Sequence, residues 1–94
     1  MYAVVRRYVS GAALADAMIK SQPEITELLT SIPGFKAYYA LRTGEGVVAT
    51  ITVCDDKAGV DESINRASGW VRANLDGASV SAPEITEGET FLNF

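Results

Sequence analysis

Ninety-four residues and a mass of 10.0 kDa are too few to divide into separate cores, so residues 1–94 are expected to form one domain. Twelve acidic against eight basic side chains give a formal charge of −4 and a pI near 4.6, which offers no attraction to phosphate backbones or anionic lipid and argues against nucleic acid and membrane partners. Apolar residues make up 48% of the chain and charged ones 21%, a balance that favours a packed core over disorder, and the absence of histidine removes His-based triads, haem ligation and zinc sites.

The N-terminal apolar stretch Met1–Val5 is cut off by Arg6 and Arg7, too short for a signal-peptide core, and no apolar run approaches the ~20 residues that span a bilayer. The single cysteine, Cys54, has no partner for an intramolecular disulfide. These features assign the protein to the cytoplasm.

Residues 2–9 are rich in β-branched and aromatic types and read as a first strand, ended by Ser10-Gly11. From Ala12 to Ile32, Leu14, Met18, Ile25, Leu28, Leu29 and Ile32 recur at helical spacing, with Ser10 or Gly11 as the cap. Pro23 lies inside that span, but the apolar phase continues through it, which predicts one bent helix. Pro33-Gly34 ends it. Residues 35–43 and 46–55 are strand-like and separated by Gly44-Glu45, a hairpin in which Gly44 can take a positive φ. Asp55 or Asp56 can cap a second helix with the stripe Val60, Ile64, Ala67, Val71 and Leu75, closed by Asp76-Gly77. Residues 79–83 form a loop and 85–94 a last strand. Pro-Glu-Ile-Thr-Glu occurs twice, at 23–27 in a helical period and at 83–87 beside a strand, and is read as coincidence.

The order β-α-β-β-α-β predicts an α+β, ferredoxin-like domain: a four-stranded antiparallel sheet with both helices on one face. Alternation divides each strand between the two faces. In the third strand Val47, Ala49, Ile51 and Val53 are assigned to the covered face. The Arg6 set of the first strand is assigned to the open one. The open face then shows Tyr2, Val4, Tyr8, Tyr38, Ala40, Val48, Cys54, Leu92 and Phe94, too apolar for water, and a second copy of the chain is the expected cover.

A helix followed by Ile32-Pro33-Gly34-Phe35 and then Tyr38-Tyr39 resembles the dimeric α/β barrel domains related to antibiotic-biosynthesis monooxygenases. The segments at 55–59, 62–63 and 70–75 resemble an uncharacterised bacterial branch of that group. The resemblance implies two sheets packed face to face across a dimer axis. It also implies a small-molecule role akin to oxygenases that act on phenols without metal or flavin, and no cofactor is expected. Relatives that depend on a haem-ligating histidine do not fit, because this chain has none.

Candidate site residues follow from their placement. Arg66, Trp70 and Asn74 are four apart and share one side of the second helix. Trp70 then either covers an aromatic or hydrophobic ligand in a pocket between helix and sheet, with Arg66 or Asn74 supplying polar contacts, or is a boundary tryptophan packed under an arginine. Tyr8, Tyr38 and Tyr39 either orient a substrate oxygen or fill an interface, and Thr50 and Thr52 are either ordinary strand formers or hydroxyls that line a wet cavity. Arg6 and Arg7 on a central strand are expected to pair with Glu87 and Glu89; the alternative is that one faces a cavity and holds an anion or an enolate-like charge. Cys54 is expected to be a small buried residue without nucleophilic activation. The cluster Asp55, Asp56, Asp61 and Glu62 is read as favouring the helix dipole, with no metal expected. A non-catalytic homodimeric ligand-binding or structural module is the alternative to the enzyme.

Overall fold

The computed structural model describes residues 1–9, 12–75 and 82–94. Its elements are β1 (Tyr2–Tyr8), α1 (Ala12–Lys20), α2 (Gln22–Thr30), β2 (Phe35–Arg42), β3 (Val48–Cys54), α3 (Lys57–Asn74) and β4 (Glu84–Glu89). The strands form one antiparallel sheet in the order β2-β3-β1-β4, with β1 and β3 central. This is the ferredoxin-like α+β arrangement. Ser10 and Gly11 as a cap, Asp76-Gly77 as a helix stop and the first part of the loop at 79–83 lie outside the described residues.

The bent helix expected over 12–32 is two helices meeting at Ser21. Proline has no N–H to give, and Pro23 falls in the opening positions of α2, where that donor would have no intrahelical partner. The chain therefore restarts instead of bending through an interior proline. Backbone bonds on either side bridge the junction: Ser21 N donates to Ala17 O at 3.1 Å and Ile25 N to Ser21 O at 3.0 Å. After α2 the chain reverses through Gly34 at φ +81°, and Asp55 N donates to Gly34 O at 2.8 Å, tying this turn to the end of β3. In the β2–β3 connection the positive φ belongs to Gly46, at +82°, and not to Gly44.

The helices cover the opposite sheet face from the one expected. Val4, Arg6 and Tyr8 of β1 and Val48, Thr50, Thr52 and Cys54 of β3 are buried beneath them. Ala49, Ile51 and Val53 are only partly buried on the other side. Both parities of β3 are apolar enough to be covered, so pattern alone favoured the richer set. Arg6 and Thr50 thereby face a mostly apolar cavity beneath the helices, which Thr52 does not line. The core has two joined clusters under the helices, one of Tyr8, Leu14, Ala15, Val48 and Trp70, the other of Val4, Leu29, Ile32, Cys54 and Val60.

Asp56 caps α3, its carboxylate accepting from Gly59 N at 3.0 Å. Gly59 brings the helix against β3: a Cβ built there would stand 2.9 Å from Cys54 Cβ and 3.3 Å from Pro33 O. The buried stripe of α3 runs through Val60, Ser63 and Trp70, with Ile64, Ala67 and Val71 partly buried. β4 is shorter than the run expected over 85–94, and Phe91, Leu92 and Phe94 beyond it are exposed. The arginine pairing also differs. Arg7 pairs with Glu84 at 3.5 Å and Glu87 with Lys57 at 3.3 Å, while Arg6 has no ion-pair partner among the described residues. Among those residues no helix is long and apolar enough to cross a membrane.

Candidate functional site

Between the helices and the sheet the side chains fail to meet completely. They leave a cavity of about 30 Å³ walled by Arg6, Tyr8, Tyr38 and Thr50 from the sheet and by Leu14, Met18, Ile25, Leu28, Leu29, Ala67, Trp70 and Val71 from the helices. The strand register explains which sheet residues meet there. Arg6 pairs across to Thr50, and Thr50 to Ala40 on the edge strand, so the three form one row pointing at the helices. Tyr8 follows Arg6 two residues along β1, and Tyr38 lies one row away on β2, opposite Thr52.

The cavity adjoins a wider groove of about 550 Å³ between α1–α2 and the edge strand β2, with Met18, Ile25, Leu29 and Tyr38 common to both. Small Ala40 at the end of the row, with Phe35, Ile19 and Thr26, lines the groove. A pocket of this size lies within the range of small-molecule sites, roughly 300–1,000 Å³. The inner cavity alone does not.

The polar groups in this apolar setting are unusually short of partners. Arg6 is 2% exposed, and its Nε and Nη1, the Thr50 hydroxyl and the Trp70 indole Nε1 are buried without a well-formed hydrogen bond among the described residues, the Tyr38 phenol being the polar group beside Arg6 and Thr50; the Thr52 and Thr90 hydroxyls, away from the cavity, are also unpaired. Buried donors and acceptors are paired in the great majority of cases, so several orphans around one void mark a place where something else completes the bonding. Burial pushes the Tyr38 phenol above its ordinary range. The opposing pull of the Arg6 charge is smaller, as is the Thr50 contact, so Tyr38 is a neutral phenol at physiological pH.

The six residues singled out from the sequence divide by position. Trp70, Tyr38 and Tyr8 line the cavity. Tyr39 is 60% exposed on the opposite sheet face. Arg66 points to the end of α2, where its Nη1 donates to Leu28 O and Ser31 Oγ at 2.7 Å each, with Glu62 3.6 Å from its Nε. Asn74 Nδ2 donates to Trp70 O at 2.9 Å, a bond within its own helix. Of the two threonines whose hydroxyls could line a cavity, Thr50 does so, set beside Arg6 by the strand register, and Thr52 does not. The α1–α2 side chains were missed. Cys54 is fully buried beside α3, and its thiol is raised by burial first and then by Asp56 and Asp55, which leaves it protonated and unreactive.

No family model matches the chain, and no curated protein matches it. Solved structures do. The NE2512 protein of Nitrosomonas europaea, of unknown function, superposes with a TM-score of 0.75 at 26% identity over 99% of this chain and 91% of that one. SnoaB of Streptomyces nogalater, a cofactor-independent oxygenase, superposes at 0.69 with 16% identity over 98% of this chain and 94% of that one. The heme-degrader MhuD of Mycobacterium tuberculosis superposes at 0.70 with 15% identity over 100% and 99%. The chain thus has the fold of the antibiotic biosynthesis monooxygenase-like proteins.

Proposed function

We propose that the chain acts as a homodimer in which each subunit binds an aromatic or hydrophobic small molecule between its helices and sheet, in the manner of a cofactor-independent oxygenase. The observation that carries this reading is the set of orphaned polar groups of Arg6, Thr50 and Trp70 around an apolar cavity open to a groove of small-molecule size. Tyr38, which lines both cavity and groove, and Phe35 in the groove offer flat apolar surface for a ring system, Trp70 and Tyr8 wall the cavity that its polar end would enter, and the neutral Tyr38 hydroxyl can donate to a substrate oxygen. A fixed cation at the ring's polar end favours charge that develops on oxygen when an electron-rich substrate is oxidised. The fold likeness to SnoaB, described as a cofactor-independent oxygenase, agrees with this reading.

A binding module without catalysis is favoured by one feature: among the described residues the cavity walls hold no carboxylate to act as a general base. One experiment separates the two. Trp70 is the sole tryptophan, and a ligand against it should quench its fluorescence. Titration with 1-naphthol should give saturable quenching, abolished in Ala67→Val, which fills the cavity from α3 with little change in helix chemistry. Oxygen uptake with an oxidisable phenol then separates enzyme from module. Quenching unaffected by Ala67→Val, or none in the wild type, would overturn the pocket.

A further inference from the structure

Resting on the reading that this pocket takes a small molecule, we infer that its ligand carries a compact planar oxyanion, a carboxylate or an ionised phenol or enol, which enters the inner cavity head first and is held by Arg6.

The charge balance requires it. A guanidinium stays protonated in any protein environment, so the burial of Arg6 places a full positive charge in the interior. Carboxylates that might neutralise it are engaged elsewhere among the described residues: Glu84 with Arg7, Glu87 with Lys57, Asp55 with Lys36 and Glu62 with Arg66. The ionisable groups that share the cavity with Arg6 are Tyr8 and Tyr38, and Tyr38 is held neutral by burial. Taking one charge out of water without a partner is far more costly than burying a pair, and sites that keep such a charge keep it for a ligand.

Size then fixes the orientation. A water needs about 10–15 Å³ of such space, so a cavity of about 30 Å³ admits two small oxygens and no ring. The groove of about 550 Å³ beyond Tyr38 has room for the ring and is lined mostly by aliphatic and aromatic side chains. An oxyanion inside and an apolar body outside satisfy both compartments. An ammonium head would meet Arg6 and is excluded. Because the net charge of the whole chain is −4, long-range steering does not bring the anion in, and selection is made by contact at the cavity floor.

Calorimetric titration with 2-naphthoate, 2-naphthol and 2-naphthamide at pH 7 tests this, since the three share a ring and differ in the head. 2-Naphthoate is expected to bind about 30-fold or more tighter than the amide, the loss typical of a buried charge pair deprived of one partner. Raising the pH through the ionisation of 2-naphthol should tighten it towards the carboxylate if phenolates are also taken, and leave it with the amide if the site is for carboxylates alone. In Arg6→Met the advantage of 2-naphthoate should vanish and the ligand-free protein should melt at a higher temperature, because an unpaired charge has been replaced by an apolar chain. Equal affinity of all three probes would overturn the anion site while leaving the pocket standing. Binding of none would overturn the pocket and this inference with it. Should Arg6→Met melt lower and still bind 2-naphthoate as tightly as the wild type, Arg6 is structural and the inference fails.

Discussion

Arg6 and Thr50 obey strand alternation and yet turn a charge and a hydroxyl to the covered face, where a void is lined, and Gly59 and Cys54 show the opposite extreme, where there is no room. The helix backbone at Gly59 lies directly on Cys54, and the added methyl of Gly59→Ala would meet a Cβ atom, which no rotamer change can move. Helix propensity favours alanine by about 1 kcal/mol, but overpacking costs about 1–3 kcal/mol, so the contact outweighs the propensity. Urea unfolding should show Gly59→Ala less stable than the wild type. A gain in stability would mean that α3 lifts off the sheet freely. Cys54 should resist alkylation at neutral pH in the folded protein, because its thiolate is disfavoured by burial and by Asp56 and Asp55.

The same thiol gives a pH dependence. Its folded pKa is raised, so the unfolded chain releases the proton first, and the stability that burial confers is intact below the unfolded thiol value of about 8.5 and is lost as pH rises through the folded value. Tyr38 adds a second loss beginning at about pH 10 for the same reason and with the same sign. Denaturant midpoints of the wild type should therefore fall above pH 9. Cys54→Ala should remove the earlier part of that fall. An unchanged alkaline profile in the variant would assign the decline to other groups.

At the scale of elements, Arg66 is the link between α3 and the end of α2. Its two donations at 2.7 Å satisfy Leu28 O, one of the last carbonyls of α2, and the Ser31 hydroxyl, and a cation there also suits the helix dipole. Arg66→Ala should cost about 1.5–3 kcal/mol in urea unfolding, the range for hydrogen bonds to a charged group, while leaving the affinity for 2-naphthol unchanged. A weaker ligand with unaltered stability would instead bring Arg66 into the pocket. The elements themselves were legible where composition and punctuation agree. Residues 2–8 and 48–54 are rich in β-branched and aromatic types and end at turn residues, and Asp56 precedes an uninterrupted helical period. They were not legible where one segment has two uses. Pro-Glu-Ile-Thr-Glu is the opening of α2 at 23–27, yet its last four residues at 84–87 lie in β4, where hydrogen bonds to β1 decide the backbone. The site was half legible. Trp70, Tyr8 and Tyr38 follow from type and spacing, whereas Thr50 enters through strand register and Met18 and Ile25 through a helix pair whose break at Ser21 was read as a bend.

For the whole molecule the inverted sheet changes the surface of the dimer argument without removing its force. The uncovered face now carries Val5, Tyr39 and Leu41, exposed at 38, 60 and 49%, with Ala3, Ala37, Ala49, Ile51 and Val53 between them. Phe91 and Leu92 extend it, bordering a groove of about 330 Å³ with Ala3, Val5 and Thr86. Four strands at ~4.8 Å spacing and about seven residues long present a footprint of roughly 450 Å², short of the ~800 Å² each partner gives a standard interface. The sheet alone is therefore too small, and the apolar residues at 91–94 are expected to share the contact. Leu41→Glu sets a charge on the apolar face at its β2 edge and should convert a dimer into a monomer at low micromolar concentration in sedimentation. Deleting residues 91–94 should weaken the dimer without abolishing it. Asn65→Glu, an exposed position on α3, is the control that should change neither. The pocket lies wholly on the other face, so the Leu41→Glu monomer should still quench Trp70 with 1-naphthol; loss of quenching on dissociation would mean that the second subunit completes the site. A wild-type chain that sediments as a monomer removes the dimer, and the apolar face would then need a different partner.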